Sequence, residues 1–253
     1  MRVTFLGTGT SVGVPVIGCP CRVCASGDPR DKRTRQSLWI QSGETSILVD
    51  ASVDFRAQAL RHGIRKVDAV LLTHAHADHI LGLDETRVLA YWQKGAIPVY
   101  GERRTLESVR RTFWYAFDET PDGGGKPKLD LIELPAVLQF SGLTILPVEG
   151  DHGSMPVTGY RIDGFAYLTD CKRVPPAAVE VLRGLDTLVI NALRRSPDHP
   201  THMTLSEALA AIEEVAPRRA YLVHMGHEMG HADLAASLPD NIQPAYDGLT
   251  LEF

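Results

Sequence analysis

Short apolar runs rich in β-branched residues recur along the chain, at Arg2–Gly7, Ser46–Asp50, Asp68–Thr73, Ile97–Tyr100, Leu143–Val148, Gly164–Thr169, Asp186–Ile190 and Arg219–Val223. Each has the length of a buried strand. Between them, Asp54–His62, Pro175–Arg183 and Leu205–Val215 read as helices. The last is the clearest: Leu205, Ala208, Leu209, Ile212 and Val215 follow helical spacing, and Thr204 with Glu207 forms a capping-box pattern at its start. Strands alternating with helices over this length predict an α/β domain with covered sheets. Asp118–Lys128, with three consecutive glycines and two prolines, is expected to be a long mobile loop. No stretch reads as an interdomain linker, so one domain spanning 1–253 is expected.

Composition narrows the class. With 253 residues, 44% hydrophobic and 23% charged, the chain is neither collagen-like, coiled-coil nor disordered. No apolar run approaches the roughly 18 residues of a membrane span. Met1-Arg2 leads directly into the strand-like Val3–Leu6, leaving no room for a signal peptide, so a cytoplasmic location is expected. A net charge of −5 makes a poor general nucleic-acid binder, although a local basic patch remains open. A small substrate, no membrane and no stable nucleic-acid partner are the expected associations, with a homodimer as a candidate assembly.

Two residue types are unevenly placed. Cys19, Cys21 and Cys24 form CxCxxC, and His74, His76, Asp78 and His79 form HxHxDH directly after an apolar strand. In an extended segment residues two apart point the same way, so His74 and His76 can grip one ion. After a turn, Asp78 and His79 can face a second, and the aspartate adds an oxygen ligand suited to hydrolytic chemistry. Later strands run into His152, Asp170 and His224, and strand ends are where ligand sites gather in open α/β sheets. Cys171 adjoins Asp170. Neighbours on a strand point to opposite faces, so only one of the two should reach a metal, and Asp170 is the choice. Clustered cysteines in a reducing compartment read as metal ligands before disulfides, and three thiolates need one further ligand that spacing alone does not name.

This pattern resembles the metallo-β-lactamase superfamily over nearly the whole chain. The resemblance implies a four-layer αβ/βα sandwich, two mixed β-sheets flanked by helices, around two catalytic divalent metals, Mn2+ or Zn2+. It assigns His74, His76 and His152 to one metal and Asp78, His79 and His224 to the other, with Asp170 bridging. Within the superfamily, Leu6-Gly7-Thr8-Gly9-Thr10-Ser11, Gly13-Val14-Pro15, the CxCxxC loop at 18–24 and Leu222–His227 resemble the PhnP family of phosphoribosyl cyclic phosphodiesterases. That family implies a structural zinc on Cys19, Cys21, Cys24 and His227.

Two metals can activate water and offset charge developing at phosphorus. The leaving oxygen benefits from a proton, and His202, two residues before the Thr204 cap, matches the family's catalytic histidine. Asp78 is counted with it among the catalytic residues. Arg194 and Arg195 are candidates to hold a substrate phosphate, against the alternative of a solvated arginine pair. Asp247 is expected to orient a histidine ligand, and His62, His199 and His231 have no assigned role. The resemblance implies 5-phosphoribosyl 1,2-cyclic phosphate as substrate, with 2′,3′-cyclic nucleotides in addition. The competing readings are a tRNase Z-like ribonuclease and a glyoxalase II-like thioester hydrolase. Gly101–Lys128 carries six Lys/Arg against five Asp/Glu, which argues against a dedicated RNA arm.

Overall fold

The computed structural model describes residues 1–119 and 125–253. The expected loop Asp118–Lys128 therefore lies partly, at 120–124, outside the described residues. Fourteen strands are present among them. In chain order they are β1 (Arg2–Gly7), β2 (Ser37–Ser42), β3 (Thr45–Val49), β4 (Ala69–Leu71), β5 (Ile97–Gly101), β6 (Leu129–Glu133) and β7 (Leu138–Phe140). Then follow β8 (Leu143–His152), β9 (Met155–Ile162), β10 (Phe165–Leu168), β11 (Thr187–Asn191), β12 (Arg219–Val223), β13 (Ile242–Pro244) and β14 (Thr250–Glu252). The helices are α1 (Phe55–His62), α2 (Ala77–Ile80), α3 (Thr86–Gln93), α4 (Arg103–Thr112), α5 (Trp114–Phe117), α6 (Pro176–Leu182), α7 (Leu205–Val215) and α8 (His231–Ala235).

These elements form two compact units, each drawn from separated stretches of chain. The first comprises Met1–Gly7, Arg35–Leu134 and Gly248–Phe253, and the second Thr8–Thr34 and Pro135–Asp247. The first unit holds a seven-stranded sheet in the order β14-β1-β2-β3-β4-β5-β6. Pairing is antiparallel from β14 to β3 and parallel from β3 to β6. The second unit holds another seven-stranded sheet, β13-β12-β11-β10-β9-β8-β7, parallel from β13 to β10 and antiparallel from β10 to β7. Both sheets are mixed and both carry helices, as the α/β reading expected.

Parallel strands are covered on both faces and so are apolar throughout. Accordingly β4, β10 and β11 are buried at every position. In the first unit Leu6, Leu48, Val70 and Val99 of the sheet pack with Phe55 of α1, Leu89 of α3 and Val109 of α4. In the second, Leu168, Leu188, Ile190 and Leu222 pack with Val179 and Leu182 of α6 and Ala208 and Ile212 of α7. Each such buried Leu, Ile, Val or Phe side chain contributes about 1.5–3 kcal/mol. Helix α7 begins at the expected capping box: Thr204 N–H donates to Glu207 Oε2 at 2.8 Å, and Glu207 N–H donates to Thr204 Oγ1 at 3.4 Å. That cap fixes the chain immediately downstream of His202. No described helix is long and apolar enough to cross a membrane.

Candidate metal and catalytic centres

In the first unit, β4 delivers the chain to Thr73, His74 and His76, and the one-turn helix α2 then presents Asp78 and His79. Nε2 of His74 lies 3.0 Å from Nδ1 of His76, and Nε2 of His79 lies 3.3 Å from Asp78 Oδ2. Ligand atoms bound at about 2.0–2.2 Å on one cation sit roughly 3 Å apart, so both pairs have the spacing of shared coordination. Asp50, one residue past β3, organises the group. Its carboxylate accepts Thr73 N–H and Thr73 Oγ1–H at 2.8 Å each, and its Oδ2 is 2.7 Å from His79 Nδ1. That contact places the His79 proton on Nδ1 and the lone pair on Nε2, the side facing Asp78. Burial pushes the Asp50 carboxyl up from its ordinary range, while His79 and Thr73 draw it back. The turn can close this tightly because Gly82 lies against the 51–52 backbone: a Cβ there would sit 2.0 Å from Ser52 O.

In the second unit, His152 ends β8, while Asp170 and His224 follow β10 and β12. Asp170 Oδ1 is 2.9 Å from His224 Nδ1, and Asp170 Oδ2 is 3.3 Å from His202 Nε2. The His202 ring stacks on His224 with centroids 4.7 Å apart and meets His152 edge-on, also at 4.7 Å. His152 Nδ1 donates to Thr201 O at 2.9 Å, which puts its lone pair on Nε2. His199, which had no assigned role, lies with its Nδ1 3.1 Å from His202 Nδ1, and burial lowers its pKa. Asn191, at the end of β11, grips the Cys171 backbone from both sides, accepting its N–H at 2.7 Å and donating to its carbonyl at 3.0 Å. The Cys171 thiol points into the core and donates to Arg173 O at 2.7 Å, and burial pushes its pKa up to about 12. Asp170 is thus the side chain that faces the histidines. Asp50, Asp170 and His224 all hold φ near +55°, a conformation that non-glycine residues adopt at a cost of about 1–3 kcal/mol and that concentrates at functional sites.

The cysteine loop forms a third group, within the second unit. Nδ1 of His227 lies 3.2, 3.5 and 3.6 Å from the sulfurs of Cys19, Cys21 and Cys24, and no disulfide links them. Tetrahedral zinc with Zn–S of about 2.3 Å and Zn–N of about 2.0 Å separates sulfur from nitrogen by about 3.5 Å, so the donor set fits zinc. Val14 and Val23 pack beneath the loop. The fully buried Arg33 braces the turn that carries His227: it donates to Gly226 O at 3.1 Å and to Met229 O at 2.6 Å. Asp31, 3.5 Å from Arg33, accepts His231 N–H at 2.8 Å.

The remaining expectations fare differently. Arg194 donates to the carbonyls of Pro197 and Asp198 of its own loop at 2.8 and 3.0 Å, and Arg195 donates to Ser237 Oγ, beyond α8, at 2.8 Å. Asp247 orients no histidine in its described contacts. Its two oxygens accept the backbone N–H and the hydroxyl of Thr8 and of Thr34 at 2.6–2.9 Å, which fills the carboxylate. The histidine-orienting carboxylate is Asp50 instead. Its sequence signal, an acid directly after an apolar strand, is the one that singled out Asp170.

Comparison with known proteins adds an independent line. The model of the β-lactamase superfamily domain matches residues 45–225. An octanoyltransferase of Porphyromonas gingivalis is 42% identical over 98% of this chain, and the chain spans about half (51%) of that protein's length. A ribonuclease Z of Methanopyrus kandleri is 27% identical, covering 68% of this chain and 56% of that protein. Among solved structures, a new diphosphatase from the PhnP family superposes with a TM-score of 0.93 at 41% identity, covering 100% of this chain and 97% of that one.

Proposed function

We propose a reaction from one premise: the chain belongs to the metallo-β-lactamase superfamily and, within it, to the PhnP family. The superfamily binds divalent metals, and the chain is a metal-dependent phosphoester hydrolase. The finer reading is a phosphodiesterase acting on small cyclic phosphodiesters, 5-phosphoribosyl 1,2-cyclic phosphate or 2′,3′-cyclic nucleotides. The ligand assignment is carried over from the family, with His74, His76 and His152 for one cation, Asp78, His79 and His224 for the other, and Asp170 for both. Cys19, Cys21, Cys24 and His227 are assigned a structural zinc.

When bound, a pair of divalent cations supplies Lewis-acid polarisation of the phosphoryl group and lowers the pKa of an attacking water. The single observation that carries the reading is His202. It is an imidazole outside the assigned ligand set, stacked on His224 and 3.3 Å from Asp170. Thr201 Oγ1 and His199 Nδ1, at 2.9 and 3.1 Å, hold its Nδ1, so Nε2, which faces Asp170, is the atom left to carry a transferable proton. From there it delivers a proton to the leaving oxygen, a step typically worth 10²–10⁴-fold. Thioester hydrolysis on the same ligands has no evident use for this group.

The diphosphatase relative supports a second reading, in which the bond broken is a P–O–P linkage of a small diphosphate diester. A panel of 2′,3′-cyclic nucleotides, phosphoribosyl cyclic phosphate, ADP-ribose and precursor tRNA, assayed with Mn- and Zn-loaded protein, tests both. Highest kcat/KM on a cyclic phosphodiester supports the first reading, and highest kcat/KM on ADP-ribose replaces it with the second. Cleavage of precursor tRNA alone refutes both.

A further inference from the structure

The surface of the first unit carries two adjoining grooves that share Val88 and Trp92. One, of about 590 Å³, sets Arg87, Lys94, Lys126 and Lys128 around Tyr91 and Trp92. The other, of about 580 Å³, adds Arg56 and Arg65 beside Leu60. Among the described residues lining either groove, Glu85 is the only acid. Helix α3 creates this surface by facing Leu89 and Ala90 to the core, which turns Val88, Tyr91 and Trp92 outward. Tyr91 and Trp92 are 72% and 70% exposed, with ring centroids 5.1 Å apart. Asp84 pairs with Arg87 at 3.1 Å, and the Asp118 carbonyl accepts from Lys126 at 2.9 Å, so part of the charge is anchored in place.

A net charge of −5 hides this segregation. Six cations, one of them paired with Asp84, against one lining acid, gathered around two exposed aromatic rings, form a local field opposite to that of the whole chain. We infer that this strip binds single-stranded nucleic acid. Sequence-tolerant single-strand recognition needs a positive groove for the backbone and aromatic faces for the bases, and both are present here. The surface is concave, whereas a bilayer interface is met by aromatic side chains that project from an apolar face. A lone nucleotide would fill one groove. Two grooves joined at Trp92 offer phosphate contacts on either side of one stacking ring, which suits a continuous strand.

Fluorescence anisotropy of labelled oligodeoxythymidylate tests this without cleavage of a ribose-linked strand. The wild-type protein is expected to bind at low salt, with log K falling against log salt at a slope of about −3, roughly 0.7 for each of four engaged phosphates. Trp92→Ala should weaken binding at least about tenfold, as loss of one stacked base does. The Lys94→Glu/Lys128→Glu variant should weaken it and flatten the slope by about 1.4. Both variants change exposed side chains, and an unchanged far-UV spectrum verifies the fold. The inference is overturned by no binding, by binding that neither variant alters, by AMP binding as tightly as the oligonucleotide, or by Trp92-dependent capture of anionic vesicles without capture of the oligonucleotide.

Discussion

Replacing Arg33 by methionine keeps most of the side-chain volume and removes one fully buried guanidinium. Two charge-assisted hydrogen bonds go with it, to Gly226 O at 3.1 Å and Met229 O at 2.6 Å, and the buried Asp31 loses its nearest cation. Hydrogen bonds from charged donors contribute about 1.5–3 kcal/mol each, and removing one partner of a buried ion pair costs about 3–5 kcal/mol. The two routes describe the same group and do not add, so Arg33→Met should lose about 3–5 kcal/mol. For a chain of this size that lowers the thermal midpoint by roughly 6–20 °C. Urea denaturation of zinc-loaded protein measures the loss directly. Because His227 lies between the two braced carbonyls, the variant should also surrender zinc to a chelator faster than wild type. Adding Asp31→Asn should recover part of the stability by neutralising the stranded carboxylate. A loss below about 1 kcal/mol would refute the bracing argument, as would a double variant no more stable than the single one.

Other perturbations separate the roles assigned above. Asp50→Ala should lower divalent-metal affinity about 10–100-fold by freeing the His79 ring, measured by calorimetric titration; wild-type affinity would contradict the orienting role. His202→Ala should reduce turnover of a phosphodiester with an alkyl leaving group by about 10²–10⁴-fold, yet reduce that of a p-nitrophenyl ester less than about tenfold, since nitrophenolate needs no proton. Equal losses on the two would show that the residue positions substrate instead. Thiol titration should find no fast-reacting cysteine in zinc-loaded protein and three after chelation. Cys171, whose buried thiol is pushed up to about 12, should react only on unfolding.

Strands buried on both faces were legible because continuous apolar runs are what such strands require, as in β10, β11 and β12. β9 was not. Proline and glycine ordinarily weaken a strand, yet here Pro156 sits at the strand start, and a Cβ at Gly159 would lie 2.7 Å from Tyr167 O, so only glycine allows that approach. α4 was missed because it buries little beyond Thr105, Leu106 and Val109 and is otherwise polar, and α3 because it leaves Tyr91 and Trp92 exposed. The same local logic governed the site. HxHxDH and the strand-end His152, Asp170 and His224 announce themselves by position. Asp50 and Asn191 act on neighbours distant in sequence, and nothing in their own segments states the partner. Asp247 shows the converse, a recognisable local motif whose contacts turn out to be two threonines.

Those threonines mark an ordering in time. The second unit consists of Thr8–Thr34 and a stretch ending at Asp247, so one carboxylate fastens the start of its first segment, the end of that segment and the end of its last. The first unit likewise pairs β1 with β14, six residues far apart in sequence meeting at the sheet edge. A nascent chain from which residues 247–252 have yet to emerge can therefore complete neither unit, and both wait for that stretch. Removing residues 247–253 would accordingly cripple both units, where removing a peripheral strand would ordinarily spare most of a fold.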